Sequence, residues 1–265
     1  MVNEFKDKHY WAVILGGSTG LGLATARKLA RQGMNLCLVH RTRKTDLPDV
    51  ERAFFNLEAE GVLLKQYNLD ATNPEKRTSV IDALTDALGD AGKVRALVHS
   101  IAKGNLKPVV STDQRQLQHD DFQLTIDAMA ISLYDWTKAL FSAGLFANDA
   151  RVISFTSEGS QKAWANYAAV SAAKAALEAI SRSIALEMAP FGIRANCIMA
   201  GVTDTASLRL IPGADALKSH SLYRNPFSRL TTPDDVADVV YLLCKDEAAW
   251  INGTVIPVNG GEHLQ

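Results

Sequence analysis

Tyr167 and Lys174 lie seven positions apart in an alanine-rich stretch, residues 165–188, whose pattern predicts a helix ended by Pro190 and Gly192. At roughly 3.6 residues per turn that separation is close to two turns, so a phenol and an ammonium share one helix face. A phenol O–H can stabilise an oxyanion as it forms. An ammonium can hold hydroxyl groups and favour ionisation of a nearby phenol. Small neighbours, Ala168, Ala169, Ala172 and Ala173, allow this face to pack closely. Taken alone, a tyrosine and a lysine on one face also describe two side chains lying along a surface.

A second group of residues is suited to phosphate. Gly16-Gly17-Ser18-Thr19-Gly20-Leu21-Gly22 follows an apolar run at 10–15 and opens an amphipathic stretch at 21–31. Glycine permits positive φ and close backbone approach. A helix N-terminus offers unsatisfied N–H groups and partial positive charge. Gly16, Ser18, Thr19, Gly20, Leu21 and Gly22 are therefore expected around the phosphates of a dinucleotide. The second apolar run ends Leu38-Val39-His40-Arg41-Thr42-Arg43-Lys44. An NAD site would place a carboxylate there for the ribose hydroxyls. Arg41 and Arg43, with Thr42 as a further donor, instead suit a 2′-phosphate and point to NADP(H). A solvated basic loop is the other reading of these cations.

The elements that must position these groups alternate between buried strands and amphipathic helices. Strands are predicted at 10–15, 35–39, 62–67, 94–99, 151–155, 193–199 and 254–258. Helices are predicted at 21–31, 49–60, 74–88, 120–146, 165–188 and 234–244. Continuous apolar runs separated by helices imply a parallel sheet covered on both faces. The expected fold is an α/β, Rossmann-like doubly wound parallel sheet of about seven strands in a single domain, 1–265. Residues 203–232 form the one long irregular stretch and are expected to act as a substrate lid.

Composition narrows the class. The chain has 265 residues with a formal net charge of −1, so no overall basic field draws it to nucleic acid or an anionic membrane. No apolar run reaches the roughly 20 residues a membrane span needs, and the amino-terminal MVNEFKDKHYW has no apolar targeting core. Cys37, Cys197 and Cys244 show no CxxC or Cys/His metal spacing. They are expected as reduced, buried thiols of a cytoplasmic protein without a metal.

The spacing Gly-x3-Gly-x-Gly resembles the short-chain dehydrogenase/reductase family, with Leu15 where threonine is usual. That family ordinarily carries Tyr-x3-Lys; here residue 171 is Ser, and the pair is Tyr-x6-Lys. This spacing resembles the divergent enoyl-acyl-carrier-protein reductase branch. Val98-His99-Ser100-Ile101-Ala102, Ser154-Phe155-Thr156-Ser157-Glu158-Gly159-Ser160 and Lys174-Ala175-Ala176-Leu177-Glu178-Ala179 agree with it. The resemblance runs over about residues 10–261 and is greatest to the NADPH-using type III enzymes. It implies that Leu69 and Asp70 meet the adenine, a surface turn being the other reading of Asp70. It also implies that Ser100, Ile101 and Ala102 line the cofactor, and that Ala200, Gly201, Thr203 and Thr205 reach the nicotinamide amide and pyrophosphate. Ser157, ten residues before Tyr167, is implied as a third catalytic residue, or else caps local backbone. Met129 falls where the ordinary family has an asparagine that holds water.

The activity implied is NADPH-dependent reduction of the 2,3 double bond of trans-2-enoyl thioesters, on acyl-carrier protein or CoA, in fatty acid synthesis. Tyr167 would stabilise the enolate oxygen and Lys174 would anchor the nicotinamide ribose. The alternative is a 3-oxoacyl or other carbonyl reductase of the same family. A cofactor-binding sensor without turnover is disfavoured by the intact Tyr/Lys pair. A homotetramer is implied by the resemblance alone. Leu208, Leu210, Ile211, Leu217 and Phe227, with Trp164 and Met129, suit either an acyl cavity or ordinary packing. Arg209, Lys218, Arg224 and Arg229 suit an acidic carrier protein or a solvated surface.

Overall fold

A strand buried on both faces has no polar side to alternate with, and the apolar runs accordingly pair as one parallel sheet. In the computed structural model, which describes residues 3–265, the strands are β1 (Tyr10–Leu15), β2 (Asn35–His40), β3 (Leu64–Asn68), β4 (Lys93–His99), β5 (Phe146–Thr156), β6 (Ile193–Ala200) and β7 (Val255–Val258). Met1 and Val2, the start of the stretch read for targeting, lie outside the described residues. The sheet order is β3-β2-β1-β4-β5-β6-β7, with every pair parallel. This is the Rossmann-like α/β fold expected. The edge strand β3 is the least buried of the seven.

Side chains of β1 alternate between two cores. Trp11, Val13 and Leu15 pack with Leu84, Trp136 and Leu177 on one face. Ala12 and Ile14 pack with Leu29, Phe54 and Val240 on the other. The first face is covered by α3 (Pro74–Leu88), α5 (Ser132–Ser142) and α6 (Ala168–Glu187), the second by α1 (Gly20–Arg31), α2 (Leu47–Glu58) and α9 (Pro233–Cys244). Local chemistry sets several helix starts. Asn73 accepts from Lys76 N with Pro74 in the first turn of α3, and Thr232 with Asp235 forms a capping box on α9.

After β3 the chain crosses to the opposite side of β1, so the crevice at the C-terminal ends of β1 and β4 is the topological switch point. At the other end of the sheet Asp149 bonds Arg95, Arg151 and Arg194. Arg95 also donates to Cys244 O at 3.0 and 2.8 Å and to Asp246 at 2.7 Å, tying the end of α9 to the strands.

Three predicted elements differ in detail. The helix predicted over 120–146 is α4 (His119–Ile126), a five-residue π turn (Asp127–Ile131) and α5. Gly144, at φ +67°, closes it, and β5 begins at Phe146. The helix predicted from 165 begins at Ala168, because Asn166 sits at φ +63° and breaks the turn before it. The stretch 203–232 holds two helices, α7 (Ala206–Arg209) and α8 (Ala214–Arg224). No described helix is long and apolar enough to cross a membrane.

Candidate active site

The glycine turn closes the C-terminal end of β1 against the segment that leaves β4. Gly16 sits at φ +84°, and a side chain there would strike the Ser100 carbonyl oxygen. A side chain at Gly22 would strike the Gly16 carbonyl oxygen. Ser100 N donates to Leu15 O at 2.8 Å, which fixes this approach. Thr19 is the N-cap of α1, in an extended conformation, and its side chain makes no capping bond. Bare backbone at the head of a helix, at a switch point, fits a dinucleotide pyrophosphate. Thr205 closes over the turn from the other side, its methyl within contact of the space above Gly20. Thr203 is buried and donates to Gly201 O at 2.9 Å. Gly201 is packed against Thr231 and Asn259.

At the end of β2, Thr42 N donates to Asn68 Oδ1 at 2.9 Å, and Thr42 Oγ1 lies 3.3 Å from Ser18 Oγ. The glycine turn and the β2 end are thus joined through two hydroxyls. Arg41 reaches Asp70 at 3.2 Å, and Lys103 reaches the same Asp70 oxygen at 3.2 Å. Burial opposes ionisation of Asp70, but bonds from Thr72 and the Lys103 cation outweigh it and hold the carboxyl at about 2. Arg43 precedes a short 3-10 turn and joins none of these bonds. Leu69 and Ile101 pack on the core, and Ala102 is exposed.

Tyr167 is the N-cap of α6 rather than a residue within it; its carbonyl accepts from Ser171 N at 2.8 Å. Its side chain is buried among Met129, Val170 and Ala173, with Leu106, Trp164 and Ile211 around the rim. Trp164 lies 5.2 Å from its ring, centroid to centroid, and Gly159 leaves room for the ring edge. Burial raises the phenol pKa, with the Ser157 hydroxyl opposing the rise. Ser157 Oγ is itself buried without a hydrogen-bond partner of regular geometry. The expected help from Lys174 towards ionising the phenol is not seen. Tyr167 is therefore a neutral O–H donor at physiological pH.

Lys174 is buried and donates to Phe155 O at 2.6 Å. Burial lowers it to about 8, against opposing pulls from Cys197 and Glu178. The Cys197 thiol is itself pushed up by burial, so the charged neighbour is Glu178. Glu178 sits one turn along α6 and accepts from Thr156 Oγ1 at 2.6 Å. The ammonium thus bonds a strand-end carbonyl and feels the charge of a carboxylate that the adjoining strand residue anchors. His99 completes the buried polar group: Nε2 lies 2.7 Å from Ser132 Oγ, and burial with the Lys174 charge holds it neutral, at about 3.

The family described as "Enoyl-(Acyl carrier protein) reductase" matches residues 16–263. The chain belongs to this family. It lies within the short-chain dehydrogenase/reductase superfamily, and its members include NAD(P)-dependent reductases. The crystal structure of an enoyl-[acyl-carrier-protein] reductase (NADH) from Aquifex aeolicus superposes with a TM-score of 0.83 at 26% identity, covering 98% of each chain. The 3-oxoacyl-[acyl-carrier-protein] reductase of Pseudomonas aeruginosa is 28% identical over 96% of this chain and 97% of its own. A short-chain dehydrogenase from Burkholderia cenocepacia, solved with NADP, has a TM-score of 0.81 at 25% identity, covering 97% of this chain and 98% of its own.

For an enoyl-(acyl carrier protein) reductase family member, two features were missed by sequence reasoning. Glu178, Thr156 and the Phe155 carbonyl around Lys174 belong to stretches read only for resemblance; an acidic residue four positions after the lysine was the available sign. Lys103 carried no sign, because the unstructured 101–118 connection sets its reach. Of the apolar lid residues, Ile211 joins the Tyr167 cluster and Leu208 is buried, whereas Leu210 and Phe227 are exposed. The four lid cations are already paired: Arg209 with Asp204, Lys218 with Asp215, Arg224 with Glu158, and Arg229 with Asp235. All three cysteines are free and buried.

Proposed function

We propose that the protein reduces the 2,3 double bond of trans-2-enoyl thioesters, carried on acyl-carrier protein or coenzyme A, with NADPH as cofactor. The observation that carries this reading is the placement of Tyr167 at the head of α6 with Ser171, not lysine, one turn on and Lys174 fixed a further turn away. Bound at this site, NADPH would supply a hydride to the β-carbon, and a proton from solvent at the α-carbon would complete the saturated thioester. The oxygen that gains negative charge in enoyl reduction lies beyond the carbon that receives hydride, whereas in ketone reduction it lies on that carbon. Displacing the phenol along the chain from the lysine matches the first case.

In this reading the neutral Tyr167 O–H donates to the enolate oxygen of the thioester, inside a low-polarity cluster that strengthens the bond. Ser157, whose Oγ is buried beside the phenol, donates next to it. Lys174 holds the nicotinamide ribose hydroxyls. The glycine turn seats the pyrophosphate, Thr203 and Thr205 close over it, and Ser100 to Ala102 line the crevice. The acyl chain runs among Met129, Val170, Leu106 and Ile211, and residues 203–232 act as the lid of one domain. The role is in cytoplasmic fatty acid synthesis, as a homotetramer. Arg41 and Thr42 favour NADPH over the NADH named for the Aquifex enzyme.

The similarity to a 3-oxoacyl reductase favours one second reading, carbonyl reduction. Following NADPH and NADH consumption with crotonyl and acetoacetyl thioesters decides between them. Enoyl turnover that falls about 100-fold in Tyr167→Phe is the expected result. Acetoacetyl turnover without enoyl turnover establishes the second reading. Enoyl turnover unchanged in Tyr167→Phe overturns the site.

A further inference from the structure

Arg41 and Lys103 come from different connections, after β2 and after β4, yet both end on the same oxygen of Asp70, each at 3.2 Å. Their nitrogens are therefore at most twice that distance apart. Beside them, the Thr42 and Ser18 hydroxyl oxygens lie 3.3 Å apart, with Thr42 Oγ1 held 2.8 Å from His40 Nδ1. We infer that Lys103 is a specificity-determining residue for the cofactor, forming with Arg41 a two-cation clamp on the adenosine 2′-phosphate, with the Ser18 and Thr42 hydroxyls at its base. This rests on the NADPH reading given above.

Charge and geometry both support the clamp. Two cations share one carboxylate, so the group keeps a net positive charge that a dianionic phosphate neutralises and an unphosphorylated ribose does not. An NAD site needs an acceptor for the ribose hydroxyls; here the Asp70 carboxylate beside Arg41 is already engaged by Arg41, Lys103 and Thr72. Asp70 also acts as a template. It draws Lys103, on a long connection without regular structure, across the mouth of the crevice to Arg41. Arg supplies a planar fork and Lys a point charge on a flexible stem, so the pair can meet a phosphate from two sides without both being rigid. The lysine and arginine are both largely exposed at their ends, so neither pays for deep burial and replacing one leaves the core untouched.

The test is calorimetric titration of the wild type, Lys103→Met, Lys103→Arg and Arg41→Met with NADP⁺ and with NAD⁺. The wild type is expected to bind NADP⁺ more tightly. Lys103→Met should weaken NADP⁺ binding about tenfold, as for loss of one charge-assisted bond, and NAD⁺ binding by no more than about twofold. Lys103→Arg should recover most of the difference. Equal losses for the two cofactors in Lys103→Met would mean that Lys103 only supports Asp70, and would overturn the inference. So would a preference for NADP⁺ that Arg41→Met abolishes and Lys103→Met leaves intact; the NADPH reading would then stand without Lys103. A wild type with no preference for NADP⁺ removes both.

Discussion

Lys174 is the residue whose titration tests the site most directly. Burial brings its pKa from the ordinary 10.5 to about 8. At pH 7 about ten ammoniums remain for each neutral amine, and that ratio falls tenfold for every further unit. The value of kcat/KM for NADPH reports groups of the free enzyme. It is expected to be flat up to about pH 7 and to decline tenfold per unit above about 8. Glu178 is the anion that opposes the burial effect, so Glu178→Gln should move this limb to lower pH by on the order of one unit. At pH 8 that amounts to roughly a fivefold loss for the variant relative to the wild type. Lys174→Met removes the limb together with most activity.

Stability carries an independent sign. The folded protein binds fewer protons at this site than the unfolded chain between about 8 and 10.5, so the contribution of Lys174 to stability rises with pH across that window. Its full span is about 3 kcal/mol. Relative to Lys174→Met, the wild type should therefore gain stability in urea melts as pH rises from 8 to 10, while its activity falls. A kcat/KM profile flat to pH 9.5, or a limb unmoved in Glu178→Gln, would refute the account of the buried ammonium.

Two further outcomes concern the frame rather than the chemistry. Asp149→Asn takes one carboxylate from three guanidinium groups, two of them almost fully buried, and should cost on the order of 2 kcal/mol, read as a lower urea midpoint. The arginines hold the Asp149 carboxyl below its usual range despite partial burial. Its contribution is thus present at neutral pH and lost as pH falls through that lowered value, so the gap between wild type and variant should close in acid. Gly16→Val should displace the Ser100 segment and abolish NADP⁺ binding by calorimetry, because a β-branched residue at φ +84° is strained as well as obstructed. Tight binding by that variant would show that the turn is not the phosphate seat.

The strand order is set by the tertiary structure, whereas that the sheet is parallel and doubly wound follows from the alternation of apolar runs and helices with right-handed crossovers. The glycine spacing likewise fixes the end of β1 as the place where backbone can approach a phosphate. These are local properties, carried by neighbouring residues, and a single chain displays them. The helix ends were less legible: Asn166 and Gly144 take positive φ, and they decide that Tyr167 caps α6 and that β5 starts at Phe146.

What the tertiary structure alone decides is which charges meet. Glu178 and Thr156 are 22 residues apart, yet a 2.6 Å bond between them sets the charge beside Lys174. Arg41 and Asp70, 29 residues apart, and Lys103 and Asp70, 33 apart, meet because three strand ends converge at one edge of the crevice. Burial has the same character: whether an amine titrates at 10.5 or at 8 depends on how much protein surrounds it. Periodicity and motif are written along the chain, but desolvation and Coulomb energy depend on distances through space, and those exist only once the sheet has closed.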